Sequence, residues 1–189
     1  MEKSRSLSRL LLRWLPGAAV VTLLCGLVYG AVQQSFRASA NDPQIQLAED
    51  AAARLAGGDS PQAVVPADPL DMARSLAPFL IVFDDAGRPL ASSAQLNGAT
   101  PLPPKGVLEY ARTRGQNQLT WQPQPGVRSA TVVARFSGRR SGFVLAGRSL
   151  REVESRVANL TKLVGLAWVG ALALTLAGAF LREKTALRP

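Results

Sequence analysis

Residues 163–181 read LVGLAWVGALALTLAGAFL, nineteen positions without a charge. At 1.5 Å per residue such a helix spans the roughly 30 Å hydrocarbon core of a bilayer, and soluble core helices seldom stay uncharged for so long. Residues 14–32, WLPGAAVVTLLCGLVYGAV, form a second uncharged stretch of the same length. Working outward from these two stretches, the chain divides into an N-terminal tail (1–13), a first span (14–32), a middle domain (33–162), a second span (163–181) and a C-terminal tail (182–189).

Charge orients this layout. Lys3, Arg5, Arg9 and Arg13 precede the first span, and Arg182, Lys184 and Arg188 follow the second. The excess of lysine and arginine at both outer ends predicts cytoplasmic termini and an exported domain in a bacterial cytoplasmic (inner) membrane. The tails hold 7 of the 22 basic and 2 of the 13 acidic residues, so more than half of the +9 net charge is accounted for by topology. What remains is dispersed, apart from Arg139–Arg140, a turn that could touch lipid phosphates. The pattern therefore points away from nucleic acid as a partner. A cleaved signal peptide is the rival reading, because Ala38-Ser39-Ala40 has the small-x-small form of a cleavage site. The apolar run exceeds the ~7–15 residues usual for such peptides, and the triplet lies well beyond it, so a retained span is preferred. Cys25 is the only cysteine, which excludes an intrachain disulfide and leaves it as a small hydrophobe.

Between the spans the pattern is mixed. Asn41-Asp42-Pro43 supplies a capping residue and an early proline, and Ile45, Ala48, Ala52 and Leu55 recur at helical spacing before Gly57-Gly58, which predicts a helix over 43–56. Residues 59–69 read as a proline-rich connector and 70–76 as a short helix. Strands are predicted at 79–83 and 89–93 around the Asp84-Asp85-Ala86-Gly87 turn, a helix at 105–114, and strands at 119–122, 127–136 and 142–147. A final helix carries Leu150, Val153, Val157, Leu160 and Val164 at steps of 3 and 4, the spacing of a coiled-coil seam, and runs without a breaker into the second span. The stripe either forms a signalling seam or packs on the domain's own sheet. Glu152 and Arg156 are spaced to pair on its flank. In the spans, Ala18, Thr22, Gly26 and Gly30, and Ala167, Ala171, Thr175 and Ala179, put a small residue at every fourth position. Such ridges predict close helix contact, either in a homodimer with a four-helix membrane bundle or between the two spans of one chain.

The stretches FLIVFDDAGRPLASS (79–93) and GFVLAGRSLREVESRV (142–157) resemble the exported PAS-like, single-Cache-type sensor domains of bacterial histidine kinases and chemoreceptors. The likeness rests on the order of strand, turn and exit helix over residues 33–181. It implies an α+β fold, a PAS-like antiparallel sheet domain flanked by two transmembrane helices, its long last helix continuous with the second span. It also implies a small molecule held on one face of a five-stranded sheet, with ligand binding shifting the exit helix. The eight residues after the second span are too few for the family's kinase module, and the chain has no histidine to phosphorylate. Output is therefore expected through a separate histidine kinase or another envelope protein.

Chemistry narrows the reading further. Without histidine, the usual zinc sites and His-based catalytic triads are out of reach, and no phosphate-binding glycine loop or nucleophile-elbow motif occurs. Asp84–Asp85 reads as a turn rather than a catalytic or calcium pair. The expectation is a non-enzymatic protein with no cofactor and no metal. If a ligand pocket exists, Tyr110, Trp121, Arg135 and Arg148 are the candidate walls, the arginines suiting a small anionic ligand. Their plain alternative is core packing for the aromatic residues and surface charge for the arginines. Two functions follow: a membrane sensor passing a signal through the second span, as in a two-component system, or an envelope assembly factor whose domain binds another protein.

Overall fold

A computed structural model describes residues 2–39 and 42–186. The expected cap Asn41, the last residue of the small-x-small triplet (Ala40) and the basic Arg188 lie outside the described residues. In chain order the elements are α1 (Glu2–Ser39), α2 (Asp42–Gly57), α3 (Pro61–Val64), β1 (Leu70–Asp71), β2 (Phe79–Asp84), β3 (Pro89–Ser92), β4 (Ala94–Gln95), α4 (Lys105–Arg114), β5 (Gln116–Gln124), β6 (Val127–Ser137), β7 (Ser141–Ser149) and α5 (Arg151–Ala186). They form two compact units: a domain, Arg37–Glu154, and a helical pair built from α1 and the remainder of α5.

The domain is α+β. Five strands lie in the order β3-β2-β7-β6-β5, and every neighbouring pair is antiparallel. The interior strand β2 is apolar at consecutive positions because both of its faces are covered, a pattern that alternation rules alone would miss. Leu80 and Val82 join Val132, Ala134, Val144 and Ala146 beneath Ala48, Ala51, Ala52 and Leu55 of α2. Phe79, Ile81 and Phe83 join Val133, Phe143 and Leu145 beneath Val107 and Ala111 of α4, with Trp121 and Met72 in the same layer. Each fully buried Phe, Ile or Leu contributes about 1.5–3 kcal/mol of transfer free energy. Gly147 is required by this packing, since a Cβ there would stand 2.3 Å from the Phe79 ring.

Three expectations are corrected. Residues 70–76 are not a helix: β1 pairs in parallel with β4, and Leu70 and Met72 donate their amides to Ser93 and Gln95. The Asp71 carboxylate then accepts the Ala73 amide at 2.8 Å, making an Asx turn in place of a helical start. The connector 59–69 contains α3, whose cap Ser60 accepts from the Ala63 amide at 3.2 Å, with Pro61 in the first helical position. Strand β5 begins at Gln116 instead of 119, because backbone pairing of Gln116 with Ala134 recruits polar residues that carry no strand pattern of their own.

In the helical pair, Leu10–Phe36 and Arg151–Thr185 are long and apolar enough to cross a membrane. The two helices run antiparallel, joined by the Trp14 indole N–H to Thr175 Oγ1 at 3.0 Å, the Trp168 indole N–H to Thr22 Oγ1 at 3.0 Å, and a Tyr29–Thr161 hydroxyl pair at 3.2 Å. Leu23, Leu27, Leu166 and Leu174 are each at least 70% exposed on the outside of this pair, an arrangement that water would penalise and hydrocarbon would not.

Candidate functional site

A cluster of charged and polar contacts surrounds the root of α5. The register places Ser129 opposite Ser149 and Ala130 opposite Arg148, so Arg128 emerges beside the point where β7 turns into the helix. The Leu150 amide donates to the Arg128 carbonyl at 2.9 Å, and Ser149 Oγ accepts the Arg151 amide at 3.3 Å, satisfying one of the amides a helix start leaves open. Glu152 and Glu154 occupy the first turn, where the helix dipole favours negative charge.

Three arginines converge on this turn. Arg128 pairs with Glu154. Arg148 donates through Nη2 to Glu152 at 3.1 Å and through Nε to the Leu76 carbonyl at 3.2 Å. Arg151 donates to the Arg74 carbonyl at 3.4 Å and to the Ala73 carbonyl. The helix root is thereby fastened to β6, to β7 and to the loop after β1. Exposed ion pairs are worth 0–1 kcal/mol apiece, so this clamp is weak enough to open and specific enough to choose one geometry.

A second charged cluster accounts for the paired carboxylates. Asp84 accepts the Arg88 amide at 2.8 Å and its Nε at 2.8 Å. These bonds, the amide first, hold its carboxyl below the ordinary carboxylate range against a smaller opposing effect of burial. Asp85 accepts from Arg112 Nη1 at 2.9 Å, while Arg112 Nε reaches Glu109 at 3.1 Å and its guanidinium lies 5.1 Å from the centre of the Phe143 ring. The Glu109 and Asp85 contacts push the Arg112 pKa upward. Both aspartates are thus engaged in shaping the β2–β3 turn and pinning it to α4. Among the described residues no group of three His, Cys, Asp or Glu side chains is gathered as a metal site would need.

The four candidate pocket residues are not brought together. Trp121 is 4% exposed within the α4-side core. Tyr110 is 52% exposed on α4. Arg135 is exposed and donates to the Arg112 carbonyl at 3.2 Å, whereas Arg148 belongs to the clamp at the root of α5. The seam residues fare differently. Leu150 and Val153 in the domain, and Val157, Leu160 and Val164 in the helical pair, are all half-buried, while most of their neighbours on α5 are exposed.

The small residues of the spans divide in two. Thr22 and Thr175 receive the indole bonds, Ala18 and Ala171 are half-buried and Ala179 is 9% exposed. Gly26, Gly30 and Ala167 are exposed, and nothing lies within 4 Å of where a Cβ on either glycine would stand. Sequence reasoning passed over Arg128, Arg151 and Glu154. Their only advance signal was the acidic pair in the first helical turn, since the register that delivers Arg128 is a product of folding. Comparison with known proteins finds no family model that matches the chain and no curated protein that matches it.

Proposed function

We propose that the chain is a two-span protein of the bacterial cytoplasmic membrane, with both termini in the cytoplasm and Arg37–Glu154 displayed outside as a PAS-like, sensor-like domain. In this reading the domain's state passes through α5 to a separate partner, and no catalytic step is involved. The observation that carries it is the clamp at the root of α5. The helix that begins between Arg128, Arg148 and Arg151 is the same uninterrupted element that supplies the second apolar segment. A contact that frees Glu152 or Glu154 from its arginine changes the seating of that helix directly.

Two experiments test this. Reporter fusions should give an external signal from the domain and cytoplasmic signals from both tails; tails on opposite sides sink the topology. Inserting one, two or three residues between Leu160 and Leu163 should disturb output, read as the expression difference between a deletion strain and its complemented parent, in a way that follows the helical period. Complementation by every insertion removes the relay.

The second reading, an envelope assembly factor, is favoured by one observation: the candidate ligand walls are dispersed, while among the described residues β5 is an edge strand paired with β6 alone, with Gln118, Thr120 and Gln122 exposed. Such an edge suits strand addition by a protein partner. Photo-crosslinkers at Gln118 and Thr120 that capture a defined envelope protein, together with tolerated insertions in α5, would replace the first reading by this one.

A further inference from the structure

The two helices enclose a groove of about 580 Å³ at the end that carries the tails, lined in part by Arg13, Trp14, Gly17, Thr175, Gly178 and Arg182. Two of its lining residues are arginines, while Gly17 and Gly178 add no side-chain bulk. The Trp14–Thr175 bond joins the two helices at this groove, and Pro16, having no amide to donate, leaves the Leu12 carbonyl without its usual helical partner. The pairings 14 with 175, 22 with 168 and 29 with 161 fix an antiparallel register. By that register Arg182 stands about five to six residues, roughly 8 Å, further out than Arg13, a separation that two arginine side chains can bridge from opposite helices. Among the described residues neither guanidinium is joined to a carboxylate.

We infer that this groove is a binding site for one anionic glycerophospholipid. Its phosphate is held between the Arg13 and Arg182 guanidiniums, and an acyl chain lies along the Gly17–Gly178 floor. The reading rests on the membrane placement proposed above. The chemistry is specific. Two guanidinium forks match phosphate oxygens, Trp14 suits the interfacial depth at which a headgroup sits, and the floor lacks the side-chain bulk that would exclude a chain. Generic attraction of a basic tail to an acidic surface needs none of the last three features.

The test uses the full chain in vesicles and nanodiscs of phosphatidylcholine containing graded phosphatidylglycerol, with native mass spectrometry counting the lipids that survive detergent washing. One phosphatidylglycerol per chain should remain, retained at least about tenfold better than phosphatidylcholine. The double variant Arg13→Gln/Arg182→Gln should lose it, Arg13→Lys/Arg182→Lys should keep part of it, and Lys3→Gln/Arg5→Gln, the same charge change outside the groove, should keep it all. Equal loss in both glutamine variants reduces the effect to tail charge and overturns the site. So does equal retention of the two lipids, or displacement by inorganic phosphate alone. Vesicle flotation separates the two levels: a chain that fails to float with any vesicle overturns the membrane placement and the site together, whereas one that floats without lipid selectivity overturns only the site.

Discussion

The domain and the helical pair are held together by opposite means. In the domain, Phe79, Ile81, Phe83, Phe143 and Leu145 are within 2% of complete burial, and polar contacts decorate the outside. In the helical pair most of the leucines point outward and the contacts between helices include three polar bridges contributed by tryptophan, tyrosine and threonine. One chain thus uses leucine as filling in one region and as outer surface in the other. Under the membrane placement proposed above, the surrounding medium, and not the residue type, decides which groups do the joining. In water, apolar area drives association, but in hydrocarbon it is neutral and small residues and hydrogen bonds take over.

The sharpest way to break this contrast is to hollow the domain. Phe143→Ala removes a fully buried ring that also lies beneath Arg112, and should destabilise the domain by about 3–5 kcal/mol. Denaturant melts of the full chain in micelles, followed by Trp121 fluorescence in a Trp14→Phe/Trp168→Phe background, would measure it. A loss below about 1 kcal/mol would mean the domain is not packed as a water-soluble core. Overfilling comes next. Gly147→Ala drives a methyl into the Phe79 ring and Thr131, and should cost about 1–3 kcal/mol by the same melt. Adding Cβ at Gly26 or Gly30 meets open space, so alanine at either position should leave the helical pair unchanged.

Much of this architecture is legible without coordinates, and the boundary of legibility has a physical cause. Helix α4 falls on residues 105–114 as its flanks dictate, with Pro104 before it and Gly115, at φ 82°, ending it. Strands β2, β6 and β7 announce themselves by apolar content, and the two apolar segments by length. What could not be read depends on pairing across distance. The β1–β4 ladder needs residues 24 positions apart to meet, and α3 rests on one Ser60 cap inside a proline-rich stretch. The clamp was hidden for the same reason. Glu152 lies four residues from both Arg148 and Arg156, and only the end of β7 brings Arg148 onto it. Trp121 illustrates the limit on function: an aromatic in a strand reads equally as a ligand wall or as core, and the register with Ser129 turns it under α4.

The helical pair can be probed at its bridges. Removing the Trp168 indole donor with Trp168→Phe, the Thr22 acceptor with Thr22→Val, and both together forms a double-mutant cycle. The coupling should be about 0.6–1.7 kcal/mol, read from the separation equilibrium of the two helices in bicelles. Zero coupling would place the joining force in the half-buried stripe of Val157, Leu160 and Val164, and the contrast with the domain would narrow to a difference of degree.

The smallest expected effect concerns acid. Of the 13 acidic residues only Glu2 and Glu183 belong to the helical pair and the other 11 lie in the domain, so loss of stability near pH 4 falls mainly on the domain, and Asp84 is a defined contributor. Its carboxyl is held below the ordinary 3.8 chiefly by the Arg88 amide, so the folded state binds its proton less readily than the unfolded chain does. Its stabilising contribution is therefore complete above the unfolded value and is lost as pH falls through the lower, folded one. Asp84→Asn abolishes that titration. The variant should be somewhat less stable than the parent at pH 7, and the two should converge as the pH is lowered from 4 towards 2, with unfolding midpoints measured at each pH. Parallel midpoints throughout would mean that the turn is held by Arg112–Asp85 and the backbone, with the Asp84–Arg88 contact a solvated surface pair that shapes nothing.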